Sequence, residues 1–332
     1  MKRKTKKVLV ATGIIASAAA ALACVSNAIT NGLVREALDR TEPKSMKKTK
    51  SRMMNSFSES ENAKLLSEAS RKLEETVTET VTITSFDDTE LTGHMYRAEN
   101  TKRFIVAMHG WRSSWSSDFG MIAPFWHDNG CSVLYVEQRG QGNSGGDYMG
   151  FGMVERFDCL EWVKWLNANG AEGYPIYLAG ISMGASTVLM ASGCEELPEN
   201  VHGIMADCGF TSAKEIWKHV AEKKLRLSYG LRKRQVDALC RARIDMDADS
   251  YSTLDAMKTN KIPVMFVHGA SDGFVPVEMT YENYEACTAP KKILISEGAD
   301  HGMSYLLSRD EYEKTVKEFW EECDNTAPEP KN

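Results

Sequence analysis

The chain has 332 residues, enough for one large α/β domain or two smaller ones; 42% apolar and 26% charged residues exclude a collagenous, a disordered and a polytopic membrane protein. Residues 1–60 carry 12 Lys/Arg against 4 Asp/Glu and the rest carry 28 against 42, so a leader of +8 precedes a body of −14. An acidic body excludes nucleic acid as the main partner, because phosphate binding needs a basic surface.

The N-terminus opens on the basic run Lys2-Arg3-Lys4-Thr5-Lys6-Lys7 and then carries no charge from Val8 to Val34. That order, with about 22 apolar residues ending near Ile29, reads as a signal peptide or membrane anchor within residues 1–30, which exports the chain or holds it at a membrane. Ala21-Leu22-Ala23 fits cleavage, the length fits an anchor, and Lys/Arg on both flanks leave the orientation open. Leu22-Ala23-Cys24 matches a lipid-modified cysteine poorly. Residues 31–60, polar and rich in Lys, Ser and Met, read as a tether or a loosely docked helix. Asn62 to Glu75, with Ala63, Leu65, Leu66, Ala69 and Leu73 at helical spacing, closes this 31–75 linker as an amphipathic helix.

From Thr76 the pattern changes to strands. Thr76 to Thr84 alternates β-branched residues, Ser85-Phe86-Asp87-Asp88 supplies a turn, and Glu90 to Arg97 returns, which predicts an antiparallel hairpin. Short apolar runs follow at Phe104 to Met108, Val133 to Val136, Ile176 to Ala179, Val201 to Ala206, Pro263 to Val267 and Lys292 to Ile295, separated by helical stretches such as Glu155 to Asn169. Strands apolar on both faces and alternating with helices define an α/β fold with a mainly parallel sheet. In such sheets ligands sit beyond the carboxyl ends of the strands, so residues just after each run carry the most information.

After Ile176-Tyr177-Leu178-Ala179 stands Gly180-Ile181-Ser182-Met183-Gly184, followed by helical composition from Ala185 to Ser192. A Gly-x-Ser-x-Gly between strand and helix holds a serine at a strained corner where neighbouring Cβ atoms have no room, and Ser182 reads as a nucleophile. A serine needs a base and the base an orienting acid, in the order Ser, acid, His on such a sheet. Asp272 follows the Val264 to Val267 strand and His301 follows Ile293 to Ile295, both in loops directly past a strand.

With these residues the chain resembles the α/β-hydrolase superfamily from about Val77 to Cys323, sharing also His109-Gly110-Trp111 after the third strand and Glu137-Gln138-Arg139-Gly140-Gln141-Gly142-Asn143-Ser144 after the fourth. The latter is similar to the superfamily's Asp-x-Arg-Gly-x-Gly-x-Ser with Glu137 in place of Asp, a structural motif. The resemblance implies an eight-stranded, mainly parallel sheet in a catalytic domain over residues 76–325, a helical cap at about 212–250 between strands 6 and 7, and a flexible tail at 326–332. It implies an oxyanion hole from the backbone N–H groups of Met183 and Trp111, and ester, thioester or amide chemistry on a small-molecule or peptide acyl substrate. A carboxylic ester is favoured, a serine peptidase is the alternative, and a non-catalytic binding protein on this fold is the third reading.

The remaining candidates receive plainer readings. His109 and His268 each precede a Gly at a strand end and read as structural; His94, His127, His202 and His219 lack ligand spacing, so no metal and no cofactor is expected. The eight cysteines form no Cys-x-x-Cys and read as buried small hydrophobes. Asp207 is an alternative triad acid and Asp300 a turn residue. Phe119, Phe125 and Trp126 read as core, whereas Trp111 and Trp115 read as pocket lining. The Lys/Arg of the cap read first as a solvated face and second as a surface for anionic substrates or membranes.

Overall fold

The computed structural model describes residues 24–41 and 61–326. The basic run at 2–7, the apolar stretch before Cys24 with its 21–23 cleavage motif, residues 42–60 and the tail beyond 326 lie outside the described residues. Among the described helices none is long and apolar enough to cross a membrane.

In chain order the helices are α1 (24–38), α2 (Glu61–Thr76), α3 (Trp115–Phe119), α4 (Ala123–Asp128), α5 (Glu155–Leu166), α6 (Met183–Ala191), α7 (Ala213–His219), α8 (Lys233–Ile244), α9 (Thr253–Thr259), α10 (Val277–Ala286), α11 (Ser304–Leu307) and α12 (Arg309–Thr326). The strands are β1 (Glu79–Thr84), β2 (Glu90–Tyr96), β3 (Arg103–Met108), β4 (Cys131–Val136), β5 (Ile176–Ile181), β6 (Val201–Asp207), β7 (Val264–Gly269) and β8 (Lys291–Ser296). They form one sheet in the order β1-β2-β4-β3-β5-β6-β7-β8, with β2 antiparallel to both of its neighbours and all other pairs parallel.

The residue pattern explains this layout. β4 and β7 are buried at every position, as parallel strands covered on both faces must be, whereas β1 at the edge is exposed or half-exposed throughout. One face packs Trp162 of α5 and Val188 of α6 against Val106 and Leu178; the other packs Phe119, Trp126, Phe319 and Trp320 against Ile105 and Tyr177. The expected helix from Glu155 ends at Leu166 and continues as one π turn over 167–171, because Gly170 takes φ 109 and leaves the helical region.

The Glu137 to Ser144 loop locks the hairpin onto the sheet. Glu137 accepts from His94 Nε2 at 2.7 Å and from the Asn143 amide group, and Ser144 Oγ accepts the Thr92 N–H at 2.9 Å. Arg139 forms a buried ion pair with Asp158 at 2.5 Å and reaches Asp87 of the hairpin turn at 2.8 Å. Residues 212–250 carry α7 and α8, where Lys214, Lys218, Lys233 and Arg241 pair with Glu215, Asp249, Asp237 and Asp247. These pairs hold four of the segment's basic side chains among its own carboxylates.

The topology also fixes where chemistry can occur. β3 has β4 on one side and β5 on the other, so the chain leaves the carboxyl ends of β3 and β5 around a crevice at the sheet's switch point.

Candidate active site

Ser182 occupies that crevice, between the end of β5 and the first residue of α6, with φ 56 and ψ −116. A β-carbon residue rarely adopts this backbone, and the glycines show why the corner closes only here. A Cβ on Gly180 would lie 2.3 Å from the Gly184 backbone, and one on Gly184 would lie 1.8 Å from the Met108 carbonyl oxygen of β3. The Ser182 N–H donates to the Asp207 carbonyl at 2.8 Å and so ties the corner to β6.

The structure brings the three sequence-predicted residues together. His301 Nε2 lies 2.9 Å from Ser182 Oγ, and His301 Nδ1 lies 2.7 Å from Asp272 Oδ2. The Asp272 side chain is fully buried, and the polar partners of its carboxylate are donors: His301 and His268 (3.1 Å) on Oδ2, and the N–H groups of Phe274 (2.8 Å) and Val275 (2.9 Å) on Oδ1. Burial alone would raise this carboxyl; the hydrogen bonds from His268 and His301 and the backbone donor outweigh it and hold the group well below the usual carboxylate range. Asp300, as a turn residue, accepts the N–H groups of Gly273 and His301 at 2.8 Å each, which clamps the two loops to one another.

The sequence reading missed the role of His268. Its Nδ1 lies 2.6 Å from Thr280 Oγ1 and its Nε2 lies 3.0 Å from the Val275 carbonyl, which fixes the ring so that the Nε2 proton is shared with Asp272. His109, by contrast, is buried away from Ser182, with Nδ1 2.7 Å from the Gly110 carbonyl and Nε2 accepting the Gln138 N–H at 3.2 Å. Burial pushes that imidazole down, so it stays neutral.

The loop after β3 is held from both sides. Asp118 accepts the Gly110 N–H at 2.6 Å and the Ser113 hydroxyl at 2.5 Å, and Gln141 accepts the Arg112 N–H at 2.5 Å, which places the Trp111 peptide between fixed neighbours. Met183 opens α6, where the first N–H groups have no acceptor inside the helix. The aromatic cluster divides differently from the expectation. Trp115 is buried and stacks on His94 at 4.4 Å, because its ring serves as a plug beneath β2, whereas Phe119 and Trp126 are core residues whose edges reach the cavity beside Ser182.

Asp207, the alternative acid, contacts Ser304 Oγ at 3.2 Å and leaves His301 to Asp272. Burial lifts its carboxyl to about 6, against the lowering effect of His268 and the Ser304 hydrogen bond. The folded state therefore keeps a proton that the unfolded chain has lost, so this group's contribution makes stability fall as pH rises from about 4 to about 6. The difference amounts to about 3 kcal/mol. Asp207→Asn is expected to flatten the dependence over that window and to raise the urea midpoint above pH 6; an unchanged pH profile of the midpoint would show that Asp207 ionises normally.

Among the described residues one group, Cys208, Asp272 and His301, has the spacing of a metal site. The donors do not fit an ion: burial pushes the Cys208 thiol well up, keeping it protonated, and Asp272 already holds four hydrogen-bond donors.

A strand-order switch, an elbow serine after β5 and His and Asp loops after β8 and β7 define an α/β-hydrolase. Residues 117–326 match the prolyl oligopeptidase family, and the chain belongs to that family. An uncharacterized Bacillus subtilis protein, YqkD, is 28% identical over 238 residues, covering 72% of this chain and 77% of its own. The Pyrococcus furiosus esterase Pf2001 shares the fold with a TM-score of 0.60 at 22% identity, over 74% of this chain and 91% of its own. An acylaminoacyl peptidase from Pyrococcus horikoshii does so with a TM-score of 0.57 at 18% identity, over 76% of this chain and 43% of its own. The protein is a serine hydrolase acting on an ester or a peptide.

Proposed function

We propose that the protein cleaves a carboxylic ester through Ser182, His301 and Asp272. The reading rests on one observation: the unbroken contact from Asp272 through His301 to Ser182, at 2.7 and 2.9 Å, beneath a serine strained into the corner that exposes it. His301 Nε2 takes the Ser182 proton as Oγ attacks the acyl carbonyl, Asp272 keeps the other ring proton on Nδ1, and His301 then protonates the leaving alkoxide. The N–H groups of Met183 and Trp111 receive the developing oxyanion, each worth about 3 kcal/mol in the transition state. Water, activated by the same imidazole, releases the acyl-enzyme.

The choice of ester draws on the second cavity beside Ser182, of about 290 Å³ and walled mainly by apolar side chains, where peptide amides would lack partners. A peptide bond is the second reading, favoured by the family to which the chain belongs. The basic run at 2–7 and the charge-free stretch after it support export or membrane anchoring of the chain.

Covalent labelling of the full chain by a fluorophosphonate tests the site. Labelling of the wild type and none of Ser182→Ala is expected, together with turnover of p-nitrophenyl acetate but not of N-acyl peptide anilides. A well-folded wild type that resists the probe would overturn the catalytic reading, and turnover of the anilides alone would move the protein to the peptide reading.

A further inference from the structure

α1 precedes the segment matched to the family, yet its C-terminal end is held by the loop that carries Trp111. The Trp111 indole donates to the Ala37 carbonyl at 2.9 Å, and the Arg112 guanidinium donates to the carbonyls of Glu36 at 2.8 Å and Asp39 at 2.6 Å. These are the orphan acceptors of a helix end, satisfied by two side chains next to the oxyanion hole. Arg40 donates in turn to the carbonyls of Ser144 and Gly142 at 2.5 and 2.7 Å, the Met149 N–H reaches the Leu38 carbonyl at 2.7 Å, and Arg243 of the cap binds Asp39 at 2.7 Å. Earlier along the helix the Gln235 side chain of the cap donates to the Asn27 carbonyl at 3.0 Å. Val34 and Leu38 are buried in one cluster with Phe151, Phe210, Ile216 and Val236.

The cavity of about 290 Å³ lies between this helix and the cap: Leu33, Val34 and Ala37 form one wall, Ile216, Ala221 and Val236 the other, and it reaches Ser182 past Trp111 and Phe274. A larger cavity of about 490 Å³ meets the first at Ser182 and carries polar groups, among them Ser113, Ser117 and Asp118. The serine thus stands between an arm that is almost wholly apolar and one of mixed lining, in which Ser113, Ser117 and Asp118 sit among apolar side chains. We propose that α1 is a wall of the substrate site and that the apolar arm takes an unbranched acyl chain of a few carbons, its length set by Leu33, Val34 and Ala37, while the leaving group faces the arm of mixed lining that carries Ser113, Ser117 and Asp118. This rests on the ester reading above and goes beyond it by assigning chain-length selection to a helix outside the matched segment.

Each methylene that enters an apolar wall raises kcat/KM by about fourfold until the arm is full. The test uses the full chain, p-nitrophenyl esters from acetate to dodecanoate, and fluorophosphonate labelling to count active sites. In the wild type kcat/KM is expected to climb from acetate to a maximum at intermediate length and then fall. Ala37→Leu, which narrows the arm, should lower the octanoate-to-acetate ratio about tenfold or more; Leu33→Ala, which widens it, should move the maximum to longer chains. A profile flat or falling from acetate onward, with acetate still hydrolysed, would overturn the acyl-arm assignment and leave ester hydrolysis standing. A climbing profile that neither variant moves would overturn the role of α1. Loss of both labelling and acetate hydrolysis in the wild type would overturn the ester reading itself.

Discussion

Asp272→Asn is expected to reduce kcat by about 10⁴-fold while leaving the fold intact. The size follows from the partners of the carboxylate, all four of which donate: two imidazoles on Oδ2 and two backbone N–H groups on Oδ1. An amide has one oxygen and one NH₂, so whichever way it turns, one pair of donors faces a donor. Turned with NH₂ toward His301, it forces the ring proton from Nδ1 to Nε2, and the nitrogen 2.9 Å from Ser182 Oγ no longer accepts a proton. Turned the other way, it breaks the bonds to Phe274 and Val275 that position the loop. Either arrangement loses buried hydrogen bonds worth about 1–3 kcal/mol, small enough for the domain to stay folded. Because the carboxyl is held low in the folded state, its stabilising contribution is present above the unfolded-state value near 4 and is lost as pH falls through the lower folded-state value. Steady-state kinetics on one ester, with circular dichroism as the control, decides the matter. A loss of less than about tenfold would show that another group orients His301, and Asp207, buried beneath the same histidines, would be the first to examine.

How far such a site can be read from residues alone depends on whether each contact is local to a motif. Ser182, Asp272 and His301 were legible because each stands directly past an apolar run, and parallel strands deliver such residues to one edge. The sheet itself was legible for the same reason: β3, β4, β5 and β7 each contain an unbroken apolar run, β6 one broken only near its start at His202, and the Asp87-Asp88 turn announces the hairpin, with Asp88 at φ 63. His268 was read as structural and is so, but its hold on Asp272 depends on how the 269–275 loop curls back, which spacing does not encode. The placement of Trp115 also escaped, since a ring beneath β2 and a ring in a cavity leave the same mark in the sequence. α1 was the least legible element. Its charge-free first half resembles the end of a membrane segment, and what fixes it in place is a set of backbone carbonyls approached by Arg112 and Trp111 from more than seventy residues away. Carbonyls are common to every residue, so only the two donors could have given a signal, and an Arg and a Trp in a loop have many other uses.

Gly184→Ala is expected to destabilise the protein by more than about 4 kcal/mol and to abolish labelling of Ser182, a large effect for one methyl group. Most glycine replacements in a helix gain slightly, since alanine has the better propensity, and here the helix begins one residue earlier at Met183. The sign reverses because the new Cβ would lie 1.8 Å from the Met108 carbonyl oxygen and 2.5 Å from its carbonyl carbon, both parts of β3 at the centre of the sheet. A flexible side chain could swing aside; a central strand hydrogen-bonded to β4 and β5 cannot move an ångström without breaking ladder bonds on both sides. The alternative is for α6 to withdraw from the sheet, which pulls the Met183 N–H and the Ser182 hydroxyl away from His301. Loss of stability and loss of reactivity are thus one event with two readouts, and the melting temperature is expected to fall by about 10 °C or more. Gly230, whose added Cβ would meet nothing within 4 Å, provides the control: Gly230→Ala should leave both melting temperature and labelling rate unchanged. If Gly184→Ala melted with the wild type and labelled at the same rate, the close approach of α6 to β3 would be wrong, and the strained corner at Ser182 would need another cause.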